Sequence, residues 1–524
     1  MNHKGKNRKK IIETNKMKKL KNIYLLLIAV LLMTACSENK LDDIVPQPEK
    51  KEGKLTNVEG IEKAYSLKQG AILQIKPNVK FDSEQKQQLT YEWNINHEKV
   101  SNDETLHYTC SKLGEFPCFL KVTAADGTAK IIEFKLFVYS DYNRGLLLFT
   151  EGEQGAELAY KALDIQNIPM ATNVFKQSNP NLMLGTTPLA LCWTGEGITN
   201  PNNINDFEGL NVVVSTDNPR KVYLLDPNTL EVKTEIVYDG KGEFYPNFAF
   251  APFGGQNFRW NPDFNVIYFI GNGRDYMMTL DHHFLEGRAN HQLPKGVRIA
   301  DLACSIIPLP TDMVRIHFDL NSKRLLYVAG LGGTALGNLV CDVTPMALLP
   351  CDGVYANELA DHRYEPRHFL FVGYTSAGEV NIYRLSPKAL KGEETVLTNI
   401  SANGNIKAND AIGVNPTKPI MYYGNENGKI FAFNYEAQNF SNKPYIELGE
   451  NFVIKQIIFN PYNSNEMYVA AENKKAPAHA CASVFIINAT NKEGGKVVEA
   501  DHHVGGKIRR MVFKGNGQEN LDRK

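Results

Sequence analysis

Two copies of one tripeptide carry the most obvious chemistry in this chain: Asp281-His282-His283 and Asp501-His502-His503. Imidazole nitrogens and carboxylates together suit divalent transition metals. A fold that joined the two tripeptides would let His282, His283, His502 and His503 bind one. In separate loops they are solvated side chains, and the sequence implies no metal and no cofactor. Asp239-Gly240-Lys241-Gly242-Glu243 offers calcium-like oxygens, but Lys241 in its middle makes it a plain turn. Aromatic rings are the usual platforms for sugar faces, being rigid, flat and apolar. Trp193, in the glycine-rich run Cys192-Trp193-Thr194-Gly195-Glu196-Gly197, is the ligand-binding candidate, whereas Trp260, before Asn261-Pro262, reads as core. Gly330-Leu331-Gly332-Gly333 has the look of a dinucleotide loop, but a strand-like run, 339–343, follows it where a phosphate-facing helix is required. The chain has no G-x-S-x-G, H-E-x-x-H, Walker A or EF-hand pattern. No catalytic residue is assigned, and the chain is expected not to be an enzyme.

The elements that must position these residues are strands. The 524 residues are 43% hydrophobic and 22% charged, a globular composition too long for one ordinary domain. From about 61 to 140, short alternating runs such as Leu89-Thr90-Tyr91-Glu92-Trp93-Asn94-Ile95, and an Asp126-Gly127 hairpin turn, predict a small β-sandwich with Trp93 in its core. From 141 to 524, seven apolar strands recur, at 146–149, 211–215, 266–270, 325–329, 369–373, 420–424 and 466–470. Their spacing suits four-stranded β-propeller blades. Ile508-Arg509-Arg510-Met511-Val512-Phe513 resembles the strand before each Asn-Pro turn, yet nothing follows it. The repeat at 146 lacks that preceding strand, so the two halves predict one shared blade and seven blades in all. The fold class is therefore all-β, a sandwich followed by a propeller.

Basic and acidic residues balance at 58 each, which gives no basic surplus for nucleic acid. Residues 1–35 hold nine Lys/Arg and one acidic residue, so 36–524 carry 49 basic and 57 acidic residues, a net of −8. Met17-Lys18-Lys19-Leu20-Lys21 and the apolar run 23–33 form a signal sequence too short to span a bilayer, with Met17 read as the start. It ends in Leu32-Met33-Thr34-Ala35-Cys36, which resembles the lipobox of bacterial lipoproteins. The resemblance implies cleavage before Cys36 and acylation of its thiol, hence anchoring in outer-membrane lipid. Ser37-Glu38-Asn39-Lys40-Leu41-Asp42-Asp43 resembles the acidic surface-export signal of Bacteroidota lipoproteins, and 36–60 reads as a polar tether. Seven further cysteines follow, an odd number. Cys110 and Cys118 either pair across a short loop or stay as buried thiols.

Tyr91-x-Trp93, Gly114 and Asp126-Gly127 resemble a polycystic-kidney-disease (PKD) immunoglobulin-like domain. With the lipobox, and with Gly145-Leu146-Leu147-Leu148-Phe149-Thr150-Glu151-Gly152 opening the propeller, the chain resembles the PKD-like family lipoproteins of Bacteroidota. That resemblance implies a non-catalytic accessory of SusC/SusD-type nutrient uptake, partnered by a SusC-like TonB-dependent transporter and a SusD-like lipoprotein. It would lie on the cell surface and capture oligosaccharides or oligopeptides. The alternatives are a propeller glycosidase or lyase built from funnel carboxylates, or a structural or adhesive surface protein.

Overall fold

The computed structural model describes residues 53–515 except 113, 166, 196–209, 239–241, 252–265, 280–292, 310–311, 330–332, 359–360, 391–395 and 397. Cys36, Trp260, His282, His283 and Lys241, with Gly330 to Gly332, lie outside the described residues.

The sandwich begins earlier than the sequence suggests. Leu55–Glu59 pairs with Asn78–Phe81 inside the segment read as tether. Leu55 and Val58 are buried there, and burying such side chains draws the strand onto the core. A five-stranded sheet runs in the spatial order Ala64–Lys68, Ala129–Tyr139, Gly114–Ala124, Leu89–Ile95, Glu98–Ser101, the first pair parallel. Ile72–Ile75 pairs with Leu106–Thr109 opposite. Between the layers lie Trp93, Leu106, Leu120, Val122 and Leu136, all fully buried. Trp93 is core as expected, and its indole N–H donates to the Asp103 carbonyl at 2.9 Å, so the buried donor is satisfied. Gly127 takes φ +85° in the Asp-Gly turn, a conformation that favours glycine. Cys110 and Cys118 are free, buried thiols, and burial pushes Cys118 up to about 11.

The propeller follows. Among the described residues, seven antiparallel sheets of three or more strands succeed one another from Gly145 to Lys514, five of them with at least four strands, and a two-stranded hairpin, Val354–Glu358 with Asp361–Glu365, projects from the fifth. Six of the seven apolar runs singled out in the sequence are the second strand of their blade, for example Val212–Asp217, His368–Tyr374 and Asn463–Asn473, and the run at 325–329 is the third strand of its sheet, after Cys304–Leu309 and Asp312–Asp319. A second strand is paired on both edges and covered by a neighbouring blade on both faces, so it is apolar throughout instead of alternating. Seven hydrophobic clusters lie between successive blades, one at every interface around the ring. The seventh joins Leu146 and Leu148 of the first blade to Tyr468, Ala470 and Val484 of the last.

Closure is made as the sequence predicts. Lys507–Lys514 pairs antiparallel with Gly145–Gly152, so the last strand is the innermost strand of the first blade. The seam carries a buried ion cluster. Lys161, fully buried, donates to the Ile168 carbonyl at 2.5 Å and pairs with Glu499 and, at 2.9 Å, with Asp501 on the outer strand of the last blade. No described helix is long and apolar enough to cross a membrane.

Candidate functional site

The seven innermost strands surround a central channel, and each lacks a partner on its channel side. Their first residues all lie at one mouth, which also holds the turns between second and third strands. At this mouth the closing strand is irregular. Phe149 pairs with Arg510 and Thr150 pairs with Ile508, so Arg509 is an extra residue, a β-bulge. A bulge re-aims side chains that strict alternation would send apart. Both arginines here reach the third blade. The Arg509 Nε–H donates to the Leu189 carbonyl at 2.7 Å, and its Nη2 donates to the Asn247 carbonyl at 3.1 Å. The Arg510 guanidinium lies 4.5 Å from the centroid of Phe248. Arg509 thus extends from the first blade past the second to the third, a path that only the channel wall offers. It remains solvent-exposed. Burial nevertheless pulls its guanidinium below the ordinary arginine range, and Asp301 partly opposes that. An exposed yet desolvated arginine is set in a concave surface.

The bulge recurs on three other innermost strands. Leu189 is the extra residue between the pairs Pro188–Thr216 and Ala190–Ser215. Met346 is extra between Pro345–Gly373 and Ala347–Val372. Lys455 is extra between Ile454–Ala471 and Gln456–Ala470. Each lies three or four residues into its strand. Leu189, Met346, Lys455 and Arg509 thus occupy equivalent strand positions, a collar just inside the mouth, with Met346 packed partly against the core between blades five and six. Small residues oppose the bulges, among them Gly373, where a Cβ would come within 2.6 Å of Val343.

The polar neighbours of the collar hold it in place. The Gln456 side chain donates to the Met511 carbonyl at 2.8 Å and accepts from the Met511 N–H at 2.6 Å, filling the open channel edge of the closing strand. Glu472 accepts from the Ile508 N–H at 2.8 Å and lies 3.8 Å from the Lys455 ammonium. Asn247 donates to Asp301 at 3.0 Å.

The residues proposed from sequence are placed elsewhere. Trp193 ends the innermost strand of the second blade, 4% exposed in the core between blades one and two, with the Lys514 ammonium 5.1 Å from its ring centroid. Its ring therefore offers no open face. His502 and His503 are exposed but diverge. His502 is within 3.1 Å of the Ser483 hydroxyl and stacks 5.8 Å from Phe452, whereas His503 meets the Ala480 carbonyl at 2.9 Å. Asp501 turns inward to Lys161 and accepts from the Met170 N–H at 3.0 Å. No group of three or more His, Cys, Asp or Glu among the described residues is arranged to hold a metal. The glycine run is followed by no helix: Gly333–Val340 is a strand that begins at the last of those glycines, and Cys341 to Val343, read from the sequence as part of a strand, lie beyond its end.

Residues 58–124 match the PKD-like domain family. That match covers the sandwich alone and leaves the propeller without a family assignment. No curated protein matches the chain. Among solved structures, the chain is similar to a quinonprotein alcohol dehydrogenase-like protein from Bacteroides thetaiotaomicron, at 13% identity and a TM-score of 0.43, over 86% of this chain and 96% of that one. A likeness so distant says nothing of the chemistry here.

The collar was missed in the sequence, although it leaves two signals. Thr187-Pro188-Leu189-Ala190-Leu191 recurs as Thr344-Pro345-Met346-Ala347-Leu348. Proline inside a propeller strand is confined to edges and bulges. Ile454-Lys455-Gln456-Ile457-Ile458-Phe459 likewise recurs as Ile508-Arg509-Arg510-Met511-Val512-Phe513, with two polar residues adjacent where alternation permits one.

Proposed function

We propose that this protein is a non-catalytic surface lipoprotein of the outer membrane. In this reading it is held by acylated Cys36 and acts as the capture subunit of a SusC/SusD-type TonB-dependent uptake complex for oligosaccharides or oligopeptides. A PKD-like domain joined to a propeller fits a surface protein.

The observation that carries the reading is the direction of the chain through the two parts. The chain enters the sandwich at Gly53, whose carbonyl accepts from Gln87 at 3.0 Å, and Gln87 also donates to Asp126 in the turn before Ala129. The 11-residue strand Ala129–Tyr139 then crosses the sandwich, about 35 Å at ~3.3 Å per residue, to the propeller. At that junction Lys68 pairs with Asp141, Asn143 donates to Asp164 at 3.0 Å, and Lys514 donates to the Asn143 carbonyl at 2.5 Å. Lys514 lies at the end of the closing strand opposite the mouth. A tether on Gly53 would therefore have the sandwich between itself and the propeller, with the collar mouth turned away from the membrane. Confinement near the membrane raises the effective concentration toward a neighbouring transporter.

Detergent-solubilised outer membranes test the reading. The wild-type chain should co-purify with a TonB-dependent barrel, and Cys36→Ala should move it to the soluble fraction. Undiminished membrane retention of that variant, or purification without a barrel, would count against the proposal. Steady product release from oligosaccharides, lost on Asp301→Asn, would favour the glycosidase reading instead.

A further inference from the structure

We propose that the bulge collar is a ligand site for a carboxylate-bearing oligosaccharide, one whose sugars are uronic acids. The inference deepens the capture function above and rests on it for biological purpose, but its binding test needs no transporter.

The argument begins with charge. Arg509 uses its Nε–H and one Nη2 hydrogen on main-chain carbonyls, which leaves three of its five donors outside these two bonds. Those two bonds fix the plane of the guanidinium in advance, so little side-chain freedom is lost when a ligand binds. A rigid fork with open donors matches a carboxylate bidentately. Lys455, the bulged residue of the adjacent last blade, adds a second exposed cation, only partly paired with Glu472 at 3.8 Å. The negative groups nearby are already engaged, Glu472 by the Ile508 N–H and Asp301 by Asn247.

The collar is also half apolar. Leu189 is a half-buried apolar bulged residue, and Phe248, beside the Arg510 guanidinium, is partly exposed where its innermost strand begins, whereas Met346 and Phe452 pack partly against the cores between blades. Cations beside flat apolar surfaces complement a sugar ring that bears a carboxylate, which presents an apolar face and an anionic edge together. An acidic peptide has the charge without the flat face. The recurrence of the bulge on four separate blades fits one ring-shaped site better than four local accidents, because each bulge gives up ladder bonds.

Isothermal titration of the purified chain from residue 37 onward with tri-galacturonic acid tests this. Maltotriose and triglutamate are the two comparison ligands. Tri-galacturonic acid is expected to bind, maltotriose not to, and the affinity should fall as salt rises. Arg509→Gln should weaken binding about tenfold or more, the loss of a charge-assisted pair. Because Arg509 also ties three blades together, Lys455→Gln serves as the second variant; with an unchanged melting temperature it should weaken binding several-fold. Arg509→Lys should recover charge but not the fork, and so only part of the affinity. The proposal is overturned if no tri-galacturonic acid binds, if both variants bind it as tightly as wild type, or if triglutamate binds better. Failure here with successful co-purification of a transporter would leave the uptake reading standing and remove only the ligand class.

Discussion

The sandwich and the propeller bury apolar surface in opposite ways. The sandwich has one core between two layers, and its outer strands Ala64–Lys68 and Glu98–Ser101 remain open at their edges. The propeller has seven cores arranged in a ring, each shared by two blades, and one strand from the far end of the chain completes it. A local defect in the sandwich stays local. A defect at the propeller seam is felt around the ring, because every blade is covered only by its neighbours.

Removing the seam is therefore the most damaging change. Truncation after Gly505 deletes Lys507–Lys514, uncovers the edge of Gly145–Gly152 and takes the buried Met511 and Phe513 out of the core between the last and first blades. At about 25 cal/mol per Å² this costs several kcal/mol, enough to unfold the propeller at ambient temperature. Calorimetry should then retain only a sandwich transition. A propeller melting within a degree or two of the intact one would break the comparison. Trp93→Ala is the converse experiment. It empties the sandwich core at a cost of about 3–5 kcal/mol, and the propeller transition should stay in place.

Lys161 sharpens the seam argument at a single side chain. Lys161→Ala leaves Glu499 and Asp501 without their buried cation, for a loss of about 3 kcal/mol or more, and Lys161→Met, which fills the volume but not the charge, should cost nearly as much. Equal losses from the two variants would show that charge, and not volume, matters at the seam. Chemical denaturation measures both.

A smaller effect comes from pH at the interface of blades three and four. His317 is fully buried, and burial, with Arg315 second, lowers it from 6.5 to about 3. The folded state keeps this imidazole neutral while the unfolded chain binds a proton. Stability is thus lost as pH falls below 6.5, on the order of 2 kcal/mol by pH 5. The groups facing it are Arg315, Tyr268 and Asp275, the last 4.0 Å away and raised by burial. Asp275 acts with the opposite sign, since its folded form holds a proton longer and gains stability as pH falls. His317→Gln should flatten the slope between pH 7 and 5. A slope unchanged in that variant would place the acid sensitivity elsewhere.

These contrasts also explain what could be read in the sequence. Strands paired on both edges, such as Val266–Gly271, are apolar from end to end, so the seven repeats were visible. Trp93, on an alternating strand with one wet face, was equally plain. Innermost strands are ambiguous because the bulge breaks their period of two, and the residues that matter, Leu189, Met346, Lys455 and Arg509, share no chemistry. Trp193 misled for a related reason. Its glycine-rich surroundings suggested an open loop, but the residue is the last of an innermost strand and packs inward beside Leu191. Of the paired His tripeptide only the second copy is described, and there Asp501 serves an ion cluster and the two imidazoles part ways.

Closing a ring with the two ends of a chain also sets an order of events. Lys514 and Asn143, bonded at the seam, are 371 residues apart in sequence. A chain synthesised amino end first can complete its sandwich early, from segments close in sequence. The first blade must wait, with one edge bare, until nearly the whole polypeptide has arrived. Joining such distant segments is slow, since the entropy of closing the loop is lost before any contact compensates it. During that interval the bare edge can recruit a strand from another copy. The seam is thus the place where timing, more than final stability, decides whether one molecule folds or two become entangled.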